Sequence, residues 1–183
     1  MILFISGGAR SGKSYFAEQT ALSLHNKVKG RERSLLYYIA TAKKSDDEMV
    51  ERIRIHQQDR GDVWKTVEEP FDIERILANC NKEDVILLDC LTIWLSNVMF
   101  ELNYSLEKLE KVIFNLLSLA REKQFHLMIV SNDVNVGIPT SYDSVFTYMY
   151  SLQRIHQRII EQSDIVVEVQ AGIPTYWKGA KWL

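Results

Sequence analysis

The sequence predicts an α/β fold, a mainly parallel sheet covered by helices on both faces. Three observations predict it. Short apolar runs alternate with longer stretches of helical periodicity from end to end. The first apolar run leads straight into a glycine-rich turn and then a helix. A length of 183 residues with 46% hydrophobic residues suits one compact domain, 1–183, with a full core.

The elements follow in order. Ile2 to Ser6 reads as a buried strand, and Lys13 to about His25 as a helix after the glycine turn. A polar, basic loop covers Asn26 to Arg33, and Leu35 to Ala40 is a second strand. Ser45 to Arg60 reads as a helix that opens with a capping box, in which Ser45 accepts from the Glu48 amide and Glu48 reaches back. Trp64 to Val67 is a short strand, Phe71 to Asn79 a helix, and Val85 to Asp89 an apolar strand ending in a carboxylate. Thr92 to Leu102 and Leu106 to Lys123 are two helices, His126 to Ser131 a strand, and Ser144 to Gln162 a helix. Ile165 to Val169 and Thr175 to Trp177 close the chain as strands joined by a turn at Gly172–Pro174, which predicts a terminal antiparallel hairpin.

Composition removes several classes of function. The net charge of −2 gives no general electrostatic reason for nucleic-acid binding. The four histidines are scattered, and Cys80 and Cys90 form neither a ligand pair nor a disulfide framework, which fits a reduced cytoplasmic setting. The opening apolar run is too short for a membrane span and lacks the basic flank of a signal peptide.

Gly7-Gly8-Ala9-Arg10-Ser11-Gly12-Lys13-Ser14 matches the Walker A pattern in its proper context, strand before and helix after. Such glycines let the backbone wrap phosphate oxygens, while amides and the helix N-terminus supply positive potential. Lys13 is placed to bind β- and γ-phosphates of ATP or GTP, and Ser14 to bind Mg²⁺. Asp89, at the end of Val85-Ile86-Leu87-Leu88, has Walker B form and is the second Mg²⁺ candidate; its other reading is a cap for the following helix. Cys90 reads as a small buried hydrophobe.

Met49, Ile53, His56 and Arg60 share one helical stripe, and Arg52 lies four residues before His56. From these residues alone, His56 is either a structural imidazole or a functional one. The flanking Arg52 and Arg60 favour an anionic phosphate beside it.

Five segments together carry a resemblance. They are Gly7 to Ser14, then Tyr38-Ile39-Ala40-Thr41-Ala42, then Asp47-Glu48-Met49 with Arg52-Ile53, His56 and Arg60, then Trp64 to Pro70, then Leu87-Leu88-Asp89-Cys90-Leu91-Thr92. In order and spacing they resemble the bifunctional adenosylcobinamide kinase/adenosylcobinamide-phosphate guanylyltransferase family. The later half is similar in outline, from Val130-Ser131-Asn132 to Asp164 and Gly172-Ile173-Pro174. The resemblance implies a RecA-like α/β domain and a homotrimer. It implies phosphorylation of adenosylcobinamide from ATP or GTP, then transfer of GMP from GTP to that corrinoid phosphate. His56 stands at the position of the family's guanylylated histidine, and neutral imidazole is a nucleophile near neutral pH. Glu68 and Glu69 are candidates for accepting from the guanine N1–H and amine, or are a solvated acidic pair before Pro70. Thr41, Asp46 and Asp47 are further pocket candidates, with helix N-terminal preference as the other reading of the aspartates.

The match departs in two places. Where the family reads Asn-Glu-Val-Gly-x-Gly, a hydrophobic residue and Pro, this chain has Asn132-Asp133-Val134-Asn135-Val136-Gly137-Ile138-Pro139. Where the family often has Phe-Arg-Asp and later Asn-Gln, it has Tyr148-Met149-Tyr150 and His156-Gln157. An arginine and an aspartate are lost together there, which means an exchanged ion pair, a changed subunit contact or an altered acceptor site; Tyr148, Tyr150 and Leu152 read equally as core or interface residues. Two alternatives stand beside the bifunctional enzyme: a P-loop kinase or guanylyltransferase of single activity, and a RecA-like regulatory module. The second needs no nucleophilic histidine.

Overall fold

The computed structural model describes residues 1–28, 34–43, 63–133 and 143–179. Among these residues, seven strands form one sheet: β1 (Ile2–Gly7), β2 (Leu36–Ala40), β3 (Trp64–Glu68), β4 (Val85–Asp89), β5 (His126–Asn132), β6 (Ile165–Gln170) and β7 (Ile173–Lys178). Their order across the sheet is β3-β2-β4-β5-β1-β6-β7. All neighbours pair in parallel except β6 with β7. The helices are α1 (Lys13–Val28), α2 (Ile73–Leu77), α3 (Leu91–Phe100), α4 (Leu106–Lys123) and α5 (Asp143–Gln162). The expected helix from Ser45 to Arg60 and its capping box lie outside the described residues, as do Val134 to Pro139.

The central strands are apolar throughout because both faces are covered. Period-two alternation divides them cleanly. Leu3, Ile5, Tyr38, Val85, Leu87, Met128 and Val130 pack on the α1 side with Ala17, Ala21 and Leu24. Phe4, Ile39, Ile86, Leu88, Leu127 and Ile129 face the other way, against α2, α3, α4 and α5. Trp94 of α3 lies fully buried there, and its Nε1 donates to the Phe71 carbonyl at 2.8 Å.

Several boundaries move, each for a local reason. Helix α1 runs to Val28, which is buried and continues the helical stripe into the expected loop. The Phe71–Asn79 helix shortens to Ile73–Leu77 because Asp72 caps it by accepting from the Arg75 amide at 3.1 Å. The last hairpin turns at Ala171–Gly172, with φ 49° and 80°, instead of at Gly172–Pro174. Two successive positive φ values match the right-handed twist of paired strands, so Ile173 and Pro174 are already in β7.

Trp94→Ala removes a large fully buried ring and leaves the Phe71 carbonyl without its donor. Urea unfolding of this variant at neutral pH is expected to show a loss of about 3–5 kcal/mol. A loss below about 1 kcal/mol would contradict the packing assigned to α3.

Candidate active site

The loop between β1 and α1 is shaped by what lies beside it. A Cβ on Gly7 would stand 2.4 Å from the Val169 carbonyl oxygen, a backbone atom of β6, so only glycine fits. Gly12 has φ +89°, and a Cβ there would meet Gly172 Cα at 3.2 Å. Hydrogen bonds complete the cradle: Gly172 N–H donates to the Ser11 carbonyl at 2.8 Å, and Asp133 N–H to the Gly7 carbonyl at 3.0 Å. The loop is therefore held from both flanks, by the β6–β7 turn and by the end of β5. Phe16 N–H donates to the Gly12 carbonyl as α1 begins.

Lys13 is buried and donates through Nζ to the Gly8 carbonyl at 3.0 Å, a bond that phosphate oxygens can replace. The Ser11 hydroxyl is buried with no hydrogen-bond partner among the described residues, a donor available to an anion in the loop. Gly8, Ala9 and Arg10 form the exposed outer rim, with Arg10 at φ 57°.

Asp89 ends β4, with β5 lying between it and β1. It has the parity of Val85 and Leu87, so its carboxylate belongs to the α1 face, the side of the P-loop helix. Tyr38 OH donates to Asp89 Oδ2 at 2.7 Å. Among the described residues, none donates a hydrogen bond to Oδ1. Asp89 and the Ser14 hydroxyl are hard oxygen donors of the kind Mg²⁺ takes, and this pair would need nucleotide phosphates and water to complete an octahedron. The donor set fits the ion.

Other expected residues sit differently. Thr41 is fully buried; its Oγ1 donates to the Cys90 carbonyl at 2.8 Å and accepts from the Cys90 amide at 3.0 Å. The hydroxyl thus clamps the β4–α3 turn and is not directed at a nucleotide. Asn97 adds to this clamp by donating to the Thr41 carbonyl at 2.9 Å and the Pro70 carbonyl at 3.2 Å. Glu69 is buried as well. One of its oxygens accepts from the Phe71 and Asp72 amides at 3.1 and 2.9 Å, and the other from Arg75 at 2.7 Å. Burial opposes its charge, but the hydrogen bonds from Asp72, Arg75 and Phe71 prevail and hold its carboxyl below the usual range. Glu68 is exposed and occupies the same cross-strand row as Ala40 and Asp89, on the α1 face. Of the acidic pair, only Glu68 faces the phosphate side. His56, Arg52, Arg60, Asp46 and Asp47 lie outside the described residues.

Sequence reasoning assigned no role to three participants: Tyr38, which holds Asp89; the Ala171–Gly172 turn behind the P-loop; and His156. The positive φ needed at Gly172 was the one local signal among them. His156 Nε2 lies 2.7 Å from Ser131 Oγ, and its ring meets Phe4 edge-on at 5.0 Å between centroids. Burial pulls its pKa down to about 4, with Asp133 acting weakly the other way. Burial, then the neighbouring charge of Asp89, pushes the Cys90 thiol up, so it is no thiolate nucleophile.

A family model described as cobinamide kinase / cobinamide phosphate guanyltransferase matches residues 3–176. The chain belongs to this family. The bifunctional adenosylcobalamin biosynthesis protein CobP of Pseudomonas aeruginosa is 34% identical over 176 residues, covering 96% of each chain. The CobU protein of Escherichia coli, of the same description, is 28% identical over 185 residues, covering 94% of this chain and 97% of its own. In fold, a KaiC-like protein from Pyrococcus horikoshii superposes with a TM-score of 0.54 at 12% identity, over 98% of this chain and 79% of the other. The cobinamide kinase/guanyltransferase chain thus carries the P-loop on a RecA-like sheet. No helix among its described residues is long and apolar enough to cross a membrane.

The neutral His156 predicts a pH signature. Its folded pKa lies below the unfolded value of 6.5, so the unfolded chain binds the extra proton between about pH 4 and 6.5 and stability falls as pH drops through that window. From pH 7 to 5, the wild type is expected to lose about 2 kcal/mol more than His156→Asn in urea unfolding. Equal losses would remove His156 as the source.

Proposed function

We propose that this enzyme acts in cobalamin (vitamin B12) biosynthesis. It phosphorylates the hydroxyl of adenosylcobinamide from ATP or GTP, then transfers GMP from GTP to that phosphate to give adenosylcobinamide-GDP. The observation that carries this reading is a complete P-loop with Lys13 and Ser14 on the same sheet face as Asp89, one strand away. The names of the relatives, bifunctional adenosylcobalamin biosynthesis proteins, supply the substrate class.

In the kinase step, the P-loop amides, the Ser11 hydroxyl and Lys13 bind the phosphates. Ser14 and Asp89 would hold Mg²⁺, which neutralises phosphate charge when bound. Tyr38 fixes the Asp89 carboxylate through Oδ2 and leaves Oδ1 for the ion. The acceptor hydroxyl oxygen bonds to the γ-phosphorus, the bond to the β–γ bridging oxygen breaks, and the nucleoside diphosphate leaves with the electron pair. The hydroxyl proton passes to water.

In the transfer step, a neutral His56 nitrogen attacks the α-phosphorus of GTP and pyrophosphate leaves with the electron pair of the broken P–O bond. Once the ring proton is lost to water, a phosphoramidate remains. An oxygen of the corrinoid phosphate then attacks it, the P–N bond breaks, and the imidazole is restored. Arg52 and Arg60, at helical spacing around His56 in the sequence, are proposed to hold the phosphates there. Glu68 is proposed to read the guanine edge, because Glu69 has both oxygens occupied. A cytoplasmic homotrimer is the assembly that the family resemblance suggests.

GTP labelled at the α-phosphate is expected to mark the wild type through a bond stable in alkali and labile in acid. The label should vanish in His56→Ala and fall by about 100-fold in Lys13→Ala. An adduct mapped to His25, His126 or His156, or none on protein that binds GTP, would overturn the transferase mechanism.

A second expectation separates the two glutamates. Glu68→Gln should narrow the preference for GTP over ATP in labelling, with an unchanged melting temperature. Glu69→Gln should cost about 1–3 kcal/mol of stability with base preference intact. The reverse pattern would transfer the guanine role to Glu69.

A further inference from the structure

An open groove of about 390 Å³ runs between α3 and the first turns of α5. Its floor is polar and uncharged: Thr92, Ser96, Asn97 and Asn132. Its walls are Ile93, Phe100, Val145 and Tyr148. Phe100 and Tyr148 stack at 6.1 Å between centroids with 25° between their planes. The volume lies in the range of about 300–1,000 Å³ usual for small-molecule sites.

The groove is wired to the catalytic end of the sheet. Thr92 follows Asp89 by three residues, and Thr92 Oγ1 accepts from Asn132 Nδ2 at 3.1 Å and lies 3.0 Å from Cys90 Sγ. Asn132 is in turn the register partner of Gly7, where the P-loop begins. Tyr148 OH donates to the Thr92 carbonyl at 2.9 Å, which ties α5 to the same turn. The groove therefore opens between the strand that ends in Asp89 and the strand that ends in the P-loop.

Its chemistry selects the occupant. None of the lining residues is charged, in a chain where Asp, Glu, Lys and Arg make up 25%. Such a lining offers nothing to a triphosphate. It suits an uncharged edge of a larger ligand, one that presents hydrogen-bonding amides along an apolar body. The wall residues Phe100, Val145 and Ile93 are 54%, 40% and 37% exposed, so the apolar walls reach the rim, where a ligand larger than the groove can extend.

We propose that this groove is the acceptor site of the kinase step. It would hold the amide-bearing edge of the corrinoid, and its Thr92–Asn132 end would lead the hydroxyl arm toward the γ-phosphate on the P-loop. This assignment rests on the kinase reading above. It gives Tyr148 and Phe100 a specificity role: the stacked pair forms the wall against which the macrocycle edge lies.

The test is steady-state phosphorylation of adenosylcobinamide by the full-length chain, with corrinoid and ATP varied separately, and an absorbance titration of the corrinoid for binding. Phe100→Ala strips an exposed wall residue, and Ile93→Glu places a charge on the rim, where little burial is lost. Each is expected to raise the corrinoid KM and Kd by at least about tenfold, with the ATP KM within about twofold. Phe114→Ala, an exposed aromatic on α4 away from the groove, should leave both KM values unchanged. If the wild type phosphorylates the corrinoid and both groove variants match it, the groove assignment is overturned and the kinase reading stands. If the wild type neither binds nor phosphorylates the corrinoid, the kinase reading falls and the groove assignment falls with it.

Discussion

The close packing of the P-loop backbone against the ends of β5 and β6 is the constraint on which the site depends. Strand β1 pairs in parallel with both, so Gly7 is caught between the Val169 carbonyl and the first residues after β5. Parallel pairing requires long crossovers, and among the described residues they carry α1, α2, α3 with α4, and α5. The same pairing that buries Ile2 to Ile5 therefore also brings three distant chain segments to one edge of the sheet. There, backbone amides and helix ends have to find partners other than strands, and anions and polar ligands are the natural ones.

Strand alternation then assigns the chemistry to faces. Asp89 and Glu68 inherit the α1 side, with the P-loop. Thr41, Glu69 and Ser131 inherit the other, where they turn inward to hold turns and helices in place. Two adjacent glutamates with the same chemistry thus receive opposite tasks: Glu69 is enclosed by Arg75 and two backbone amides, and Glu68 remains on the open side. The residues in and beside the segments that depart from the family pattern fall into the same scheme. Leu152 is core, Tyr150 is exposed, Tyr148 reaches Thr92, and His156 serves Ser131 beneath β1.

The relation between sequence and structure is uneven for a physical reason. The P-loop, the apolar strands and the long amphipathic helices were legible because periodicity and motif spacing are written in consecutive residues. Within the described residues their type and order stand, and the closing hairpin is antiparallel as expected. The hairpin turn lies before Pro174 because Pro fits in an edge strand, whereas the turn requires positive φ at Ala171 and Gly172.

The sequence by itself determined the α/β class, the Walker A loop with Lys13 and Ser14, the strand that ends in Asp89, and the family. Each is a property of neighbouring residues, or of their order. Only the tertiary structure decided which hydrogen-bonding groups meet: Tyr38 with Asp89, the Ser11 carbonyl with the Gly172 amide, Ser131 with His156, and Thr92 with both Asn132 and Tyr148. These partners lie 25 to 161 residues apart by their numbers. No local periodicity encodes them. They follow from strand order and register, which the whole core sets at once by burying both faces of one sheet.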